Sequence, residues 1–279
     1  MKRAKIVLYN PEAVFHTMPL SLLAIGSALD PDRFDVRIVD ARLERDPWQR
    51  LAAEIEDADV LGLTVLTGAP IRDAVRISRQ AKKLRPELPV VWGGWHPSLF
   101  ATDTLDESSI DFAVQGQGEA TFVELVEAIV GEGPVDQIHG LARRDEDGSV
   151  IPPIPRTLME LEDLPPHNYE MLSVESYFRY KKQRQLDYVT STGCLFRCAF
   201  CADPFVNKRR WVALSPERIG REVEALMARY QFEELAFQDE TFFTYRQRVA
   251  AIAEEFLPAV ENSFYDLDRT RDIIGYPPI

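Results

Sequence analysis

Short apolar runs alternating with stretches of helical period organise the first half of this chain. The runs are Lys5-Ile6-Val7-Leu8-Tyr9, Val36-Arg37-Ile38-Val39, Val60-Leu61-Gly62-Leu63-Thr64-Val65, Val90-Val91-Trp92 and Phe112-Ala113-Val114. Helical patterns cover residues 20–29, 48–55 and 71–84, the last stopped by Arg85-Pro86. A further amphipathic stripe carries Phe122, Leu125, Val126, Ile129 and Val130. Strands alternating with helices build a parallel sheet covered on both faces. The expected fold class is α/β, with a doubly wound, Rossmann-like parallel sheet over residues 1–140.

Ligands of such sheets bind beyond the carboxyl ends of the strands. Here those ends are Asn10-Pro11, the segment from Thr64 through Thr67 to Gly68, Gly93-Gly94-Trp95-His96-Pro97, and Gly116-Gln117-Gly118-Glu119. Glycine lets backbone approach a ligand closely, and it equally serves tight turns. The helix after Gly118 offers free N–H groups to a phosphate or amide. Tyr9-Asn10-Pro11-Glu12 follows the first strand, so the dinucleotide fingerprint G-x-G-x-x-G is missing and NAD is a poor candidate.

Residues 141–185 have a different texture. Residues 141–151 read as a hairpin turning at Asp147-Gly148. Pro152, Pro153, Pro155, Pro165 and Pro166 then mark an extended linker. Tyr169, Met171, Leu172, Tyr177, Phe178 and Tyr180 are expected to pack it down, with 181–184 as a solvated face.

The chain has three cysteines, Cys194, Cys198 and Cys201, all in one loop with spacing C-x3-C-x2-C. Three thiolates on one loop suit three corners of a [4Fe–4S] cluster, leaving one iron open to a substrate or cosubstrate. A zinc site needs a fourth ligand, and no histidine lies downstream of the loop. A disulfide leaves one thiol over. Inert buried thiols are the remaining reading.

A β-rich run over 187–192 delivers this loop at its carboxyl end, where barrel enzymes place their active sites. A helix follows, with Ser215 as N-cap, Pro216 at its first position and a stripe of Ile219, Val223, Leu226, Met227 and Tyr230. The next strand, Glu234-Leu235-Ala236-Phe237, leads into Asp239 and Glu240. Paired carboxylates there suit acid–base work, and Asp239 equally suits a helix cap. Residues 207–211 are basic and suit either a carboxylate-bearing substrate or the bare surface. A last helix over 246–256 and a strand at Phe264-Tyr265-Asp266-Leu267 are expected.

The cysteine spacing, with aromatic Phe200 before the last cysteine, resembles the radical S-adenosylmethionine (SAM) superfamily. The run from Asp187 to Pro204 is similar to its cobalamin-dependent branch, near the anaerobic magnesium-protoporphyrin IX monomethyl ester cyclase and its relatives. Gly93 to Pro97 and Gly116 to Glu119 match stretches of the cobalamin domain in that family. The resemblance implies a cobalamin-binding domain, with Asn10, Thr64, Thr67, Gly68, Gly93, Gly94, His96, Gly116, Gln117, Gly118 and Glu119 as candidate contacts. It implies that Cys194, Cys198 and Cys201 hold the cluster and that Phe200, Asp239 and Glu240 contact SAM. The Asp-x-His-x-x-Gly motif of other cobalamin domains is absent, and neither His16 nor His96 sits in one. Cobalamin is therefore expected without a histidine ligand, and a lone His96 fits a hydrogen-bonded loop residue.

The resemblance also implies a radical SAM barrel of six βα units over residues 186–279, of which about three can be counted. The expectation is a partial barrel: a truncated product, a natural fragment, or a half completed by a second chain. The expected enzyme acts on a small molecule, takes electrons from a reductant such as flavodoxin or ferredoxin, and oxidises, cyclises or methylates a carbon, with oxidation or cyclisation placed first. The alternatives are a non-catalytic cofactor-binding protein and an iron–sulfur electron carrier.

Composition narrows the classes further. A length of 279 residues fits about two domains, and a net charge of −13 excludes a generic nucleic-acid binder. No stretch reaches the roughly 20 apolar residues of a membrane span. The apolar run after Lys5 is too short for a signal-peptide core. Free, closely spaced cysteines fit a reducing compartment, so the cytoplasm is expected.

Overall fold

The computed structural model describes residues 3–131 and 133–262. The first half alternates β1 (Ala4–Asn10), α1 (Leu20–Ser27), β2 (Phe34–Asp40), α2 (Pro47–Ile55), β3 (Val60–Thr64), α3 (Ala69–Leu84) and β4 (Val90–Gly93). Two short helices follow, α4 (Trp95–Leu99) and α5 (Ala101–Thr104), then β5 (Phe112–Val114) and α6 (Glu119–Val130). A hairpin of β6 (Leu141–Arg144) and β7 (Val150–Ile151) completes one seven-stranded sheet of order β2-β1-β3-β4-β5-β6-β7. Strands β1 to β5 pair in parallel, and β6 and β7 are antiparallel additions at the edge.

Alternation along the strands explains the two faces of the sheet. Val7, Tyr9, Leu61, Leu63, Val90 and Trp92 pack with Leu51 and Ile55 of α2 and Ala74, Ile77 and Ala81 of α3. Their neighbours Ile6, Leu8, Val60 and Val91 face the other way, against Leu22 of α1 and Phe122, Leu125 and Val126 of α6. Strands buried on both faces read as unbroken apolar runs, which is why Ile6-Val7-Leu8-Tyr9 lacks polar interruptions. Val130, expected on the same apolar stripe of α6, is its last residue and is 42% exposed.

The order of strands reverses between β1 and β3: the chain first adds β2 on one side, then β3 to β5 on the other. Such a switch point opens a crevice beyond the strand ends. Asn10 and Thr64 end the two strands that flank it.

The second half contains α7 (Val174–Lys181), β8 (Gln185–Tyr188), β9 (Ser191–Gly193), α8 (Asp203–Val206), β10 (Trp211–Ala213), α9 (Pro216–Tyr230), β11 (Glu234–Phe237) and α10 (Arg246–Asn262). The single β-run expected over 187–192 is two strands. β8 pairs in parallel with β11 across α9, a βαβ unit, whereas β9 turns off to pair antiparallel with β10. The break falls at Val189-Thr190, where the Thr190 N–H bonds the Asp239 carboxylate rather than a strand. Ser215 caps α9 as expected, its side chain accepting from the Arg218 N–H. The expected strand at Phe264-Tyr265-Asp266-Leu267 lies outside the described residues.

A third core joins the halves. Met18 and Leu23 of the first half pack with Tyr169, Val174, Tyr177 and Phe178 of the connector and with Leu186, Tyr188, Ile219 and Val223 of the second. The aromatic connector is thus the packing layer expected of it. Among the described residues no helix is long and apolar enough to cross a membrane.

Candidate cofactor site

One cleft of about 430 Å³ runs between the halves. The strand ends of the first half form one wall, including Asn10, Thr64, Gly93, Gly94, Gly116, Gln117, Gly118 and Glu119. Thr192, Val206, Asn207, Gln238 and Glu240 line it from the second half. The connector contributes Leu164, Pro165, Pro166 and His167, opposite Arg218 and Glu222 of α9.

Each predicted residue on the first wall has a definite anchor. Asn10 Nδ2 donates to Asp40 Oδ2 at 3.0 Å, and Thr64 Oγ1 meets Ser21 Oγ at 3.0 Å. Gly116 N–H donates to Ser98 Oγ at 2.9 Å, and Gln117 Oε1 accepts from the Met159 N–H at 2.7 Å. Gly93 and Gly116 make a cradle: a Cβ on Gly93 would meet only Val114 at 3.9 Å, and one on Gly116 would meet nothing within 4 Å. Gly94 has another purpose. Its φ of 90° and the Val65 backbone, 3.0 Å from where a Cβ would stand, allow only glycine at this turn.

Three of the residues predicted for this wall do not line the cleft. Thr67 Oγ1 contacts His96 Nδ1 at 3.2 Å, and Gly68 starts α3. His96 sits in α4, its N–H bonded to the Val65 carbonyl, with burial pushing its imidazole below the ordinary value. His16 is exposed and packs its ring 4.9 Å from Tyr180. At the start of α6 the Glu119 carboxyl lies near the Gly118 and Glu119 N–H groups. Burial raises that carboxyl above its ordinary range, and those two amides hold it back.

The loop between β1 and α1 hangs over this wall and is pinned by charge. Arg42, buried, donates to both Asp40 oxygens, to the Phe15 carbonyl at 2.6 Å and to the Thr17 carbonyl at 2.8 Å. Tyr177 of the connector donates to the same Asp40 at 2.6 Å. A buried ion pair is held when its remaining donors and acceptors find partners, as they do here.

The cysteine loop follows β9, whose Thr192 lines the cleft; Cys194, Cys198, Cys201 and Phe200 are not among the lining residues. Cys194, Cys198 and Cys201 are free thiols, Cys198 exposed and the others half-buried. The Cys201 N–H donates to the Cys198 carbonyl at 3.1 Å, which closes the second half of the loop into a turn. Among the described residues no three His, Cys, Asp or Glu side chains converge on one metal ion. A cubane instead spreads its thiolates over separate irons, and an unpaired, accessible, soft donor set of three fits that attachment. Phe200 is 94% exposed beside it.

Asp239 is not a helix cap. Its Oδ1 accepts from the Thr190 N–H at 2.8 Å, and its Oδ2 accepts from the Thr190 hydroxyl at 2.6 Å and from the Ser191 hydroxyl. It therefore braces the strand that carries the cysteines. Glu240 lies open to the cleft, and its Oε2 accepts from the Gly193 N–H at 3.2 Å. Desolvation within the concave wall raises its carboxyl above the ordinary range, against the pull of backbone N–H groups.

Sequence patterns alone did not single out Gln238, His167, Arg218 or Glu222 as lining residues. His167 is held neutral: burial lowers its imidazole to about 4, only partly opposed by Glu222. Its one available signal was its place after a proline pair, and that does not say what it faces.

Fold and site together define a B12-binding type α/β domain joined to a βα unit that carries a three-cysteine loop. Residues 5–126 match the B12 binding domain family. The chain is also similar to methyltransferases and to a cyclase. It is 32% identical over 267 residues to an uncharacterized methyltransferase of Pyrococcus horikoshii, spanning 91% of this chain and 57% of that protein. It is 28% identical over 212 residues to the anaerobic magnesium-protoporphyrin IX monomethyl ester cyclase of a Synechocystis species, spanning 74% of this chain and 42% of the cyclase. Its fold is that of the cobalamin-dependent SAM radical enzyme OxsB, solved with aqua-cobalamin and SAM bound: TM-score 0.77, 22% identity, 92% of this chain and 37% of that one. The chain thus spans about half the length of the curated relatives it matches.

Proposed function

We propose that this chain holds cobalamin and a SAM-binding [4Fe–4S] cluster on opposite walls of one cleft and uses them to modify a carbon centre of a small molecule. The observation that carries the reading is the placement of the cysteine loop. It leaves β9 beside the ends of β8 and β11, with Glu240 bonded to Gly193 at its root, and Glu240 lines the same cleft as the glycine cradle of the B12-type domain.

Cys194, Cys198 and Cys201 would hold three irons of the cluster, and Gly93, Gly116 and their neighbours would seat the corrinoid. When bound, these groups supply reductive cleavage of SAM and carriage of a methyl group or electrons. The protein's own part is positional. Asp239 braces the cysteine strand through three donors. Glu240 would offer its carboxyl to an ammonium or hydroxyl of SAM, and Phe200 would offer its exposed ring to the adenine. Arg42 and Asp40 keep the loop of residues 11–19 over the cradle. Neither His16 nor His96 lines the cleft, so neither would touch the corrinoid there; His167 of the connector is the histidine on its wall.

Methyl transfer is favoured over oxidative cyclisation, because the relative of higher identity is a methyltransferase. This reverses the order expected from the resemblance to the cyclase. A flavodoxin or ferredoxin would supply electrons, and a second chain or further sequence would extend the βα unit.

Anaerobic reconstitution with iron and sulfide tests this reading. The expected product carries about four irons per chain, retains hydroxocobalamin through desalting, and releases 5′-deoxyadenosine or S-adenosylhomocysteine from SAM with dithionite. A well-loaded cluster that turns over no SAM would overturn the enzyme reading in favour of an electron carrier. Loss of all corrinoid on desalting would remove the cobalamin assignment.

A further inference from the structure

We infer that Asp187 is a positioning residue that locks the Gln238 amide with its carbonyl oxygen turned into the cleft. The end of β11 then presents two acceptors together, Gln238 Oε1 and the Glu240 carboxyl, to an ammonium-bearing ligand. The inference rests on the function proposed above and names the part of the cosubstrate that this wall recognises.

Asp187 is fully buried in β8. Its Oδ2 accepts from the Met18 N–H at 2.7 Å and from Lys181 Nζ. Its Oδ1 accepts from Gln238 Nε2 at 3.0 Å. Its own carbonyl accepts from the Tyr169 hydroxyl at 2.6 Å. One carboxylate therefore ties the loop of the B12-type domain, the connector helix and the end of β11 together. Met18 and Gln238 both line the cleft, so this group also sets the separation of its walls.

A carboxylate ion-paired with lysine only accepts hydrogen bonds. Gln238 must turn its NH₂ toward Asp187, and its Oε1 is left facing away. Among the described residues that oxygen has no hydrogen-bond partner, although Gln238 is exposed on the cleft wall. An acceptor held in place by a buried acid, next to Glu240, matches a ligand with clustered donors. The ammonium group of SAM offers three charged donors; its sulfonium offers none, and the adenine amine and ribose hydroxyls, which methylthioadenosine keeps, are uncharged.

The pair can be exchanged. In Asp187→Asn, the Asn oxygen stays with Met18 and Lys181, its NH₂ points at Gln238, and the Gln238 amide flips to show a donor to the cleft. Adding Gln238→Glu restores an acceptor on both sides. The test measures S-adenosylhomocysteine binding by calorimetry on the full reconstituted chain, with methylthioadenosine, which lacks the amino-acid portion, as the second probe.

Gln238→Ala, a change at an exposed position, and Asp187→Asn should each weaken S-adenosylhomocysteine by about tenfold, the effect of one charge-assisted bond. Methylthioadenosine affinity should not change, and the Asp187→Asn/Gln238→Glu exchange should restore S-adenosylhomocysteine to within about threefold. Nitrogen-15 spectra of glutamine-labelled protein without cofactors should show the Gln238 NH₂ protected in wild type and released in Asp187→Asn. Wild-type affinity in Gln238→Ala, or failure of the exchange to rescue a folded protein, would overturn the inference alone. A wild-type chain that binds neither probe would overturn the SAM reading and this inference with it.

Discussion

Gly193 and Arg210 are in such close contact that a Cβ on Gly193 would stand 2.2 Å from the Arg210 carbonyl oxygen. Gly193 also has a φ of 86°, a left-handed conformation that side chains resist. The two residues face one another where β9 pairs with β10 through Trp211 and Gly193, one position before Cys194. On the Arg210 side, Lys208 and Arg209 are both left-handed, at φ 53° and 57°. The cysteine loop thus begins from a strained, tightly clamped backbone.

Gly193→Ala should therefore destabilise the second half by more than about 2 kcal/mol and misplace Cys194. The measurement is iron and sulfide content after anaerobic reconstitution, beside the thermal midpoint. A variant that loads iron like wild type would show that the clamp does not set the loop.

Single changes Cys194→Ser, Cys198→Ser and Cys201→Ser should each abolish the broad absorbance near 400 nm of a reconstituted cluster, about which thiolate ligation is decisive. Hydroxocobalamin retention should survive in all three, since the glycine cradle lies on the other wall. Stoichiometric zinc in the wild-type protein, with no iron, would contradict this expectation.

Gly93 offers a change that fills the cradle without straining the backbone. A Cβ there has only an ordinary contact, 3.9 Å from Val114. Gly93→Leu should keep the thermal midpoint within about 3 °C, as a surface-like substitution does. It should lower corrinoid retention by at least about tenfold, measured by the visible spectrum after desalting.

His167 predicts a pH dependence. Burial lowers its imidazole from 6.5 to about 4, so the folded chain binds fewer protons than the unfolded chain between those values. Stability contributed by this group is fully present above pH 6.5 and is lost as pH falls toward 4. His167→Gln should flatten the fall of the thermal midpoint over that window. Identical slopes for the two proteins would refute the assignment.

Much of the fold was legible along the chain. The parallel strands β1 to β5 are apolar runs with nowhere to sit but between two helical layers, and Ser215-Pro216 announced α9 through local capping chemistry. The cysteine spacing was equally plain, because residues within one loop need no tertiary context to be neighbours. What the sequence could not reveal depends on contacts between distant positions. Asp239 lies 49 residues from Thr190, yet it braces that residue instead of capping a nearby helix. Asp187 reaches back 169 residues to Met18. The strand expected over 187–192 splits because that same Asp239 captures the Thr190 amide.

By itself the sequence determined the alternation of elements, the spacing of the cysteines and the glycine turns, all matters of local pattern and stereochemistry. Only the tertiary structure decided which strand ends share a cleft. It also left Thr67, Gly68 and His96 outside that cleft and bound both walls to one buried carboxylate. The physical reason is range: backbone preference and periodicity act over a few residues, whereas burial and hydrogen-bond satisfaction are settled by whatever the fold brings alongside.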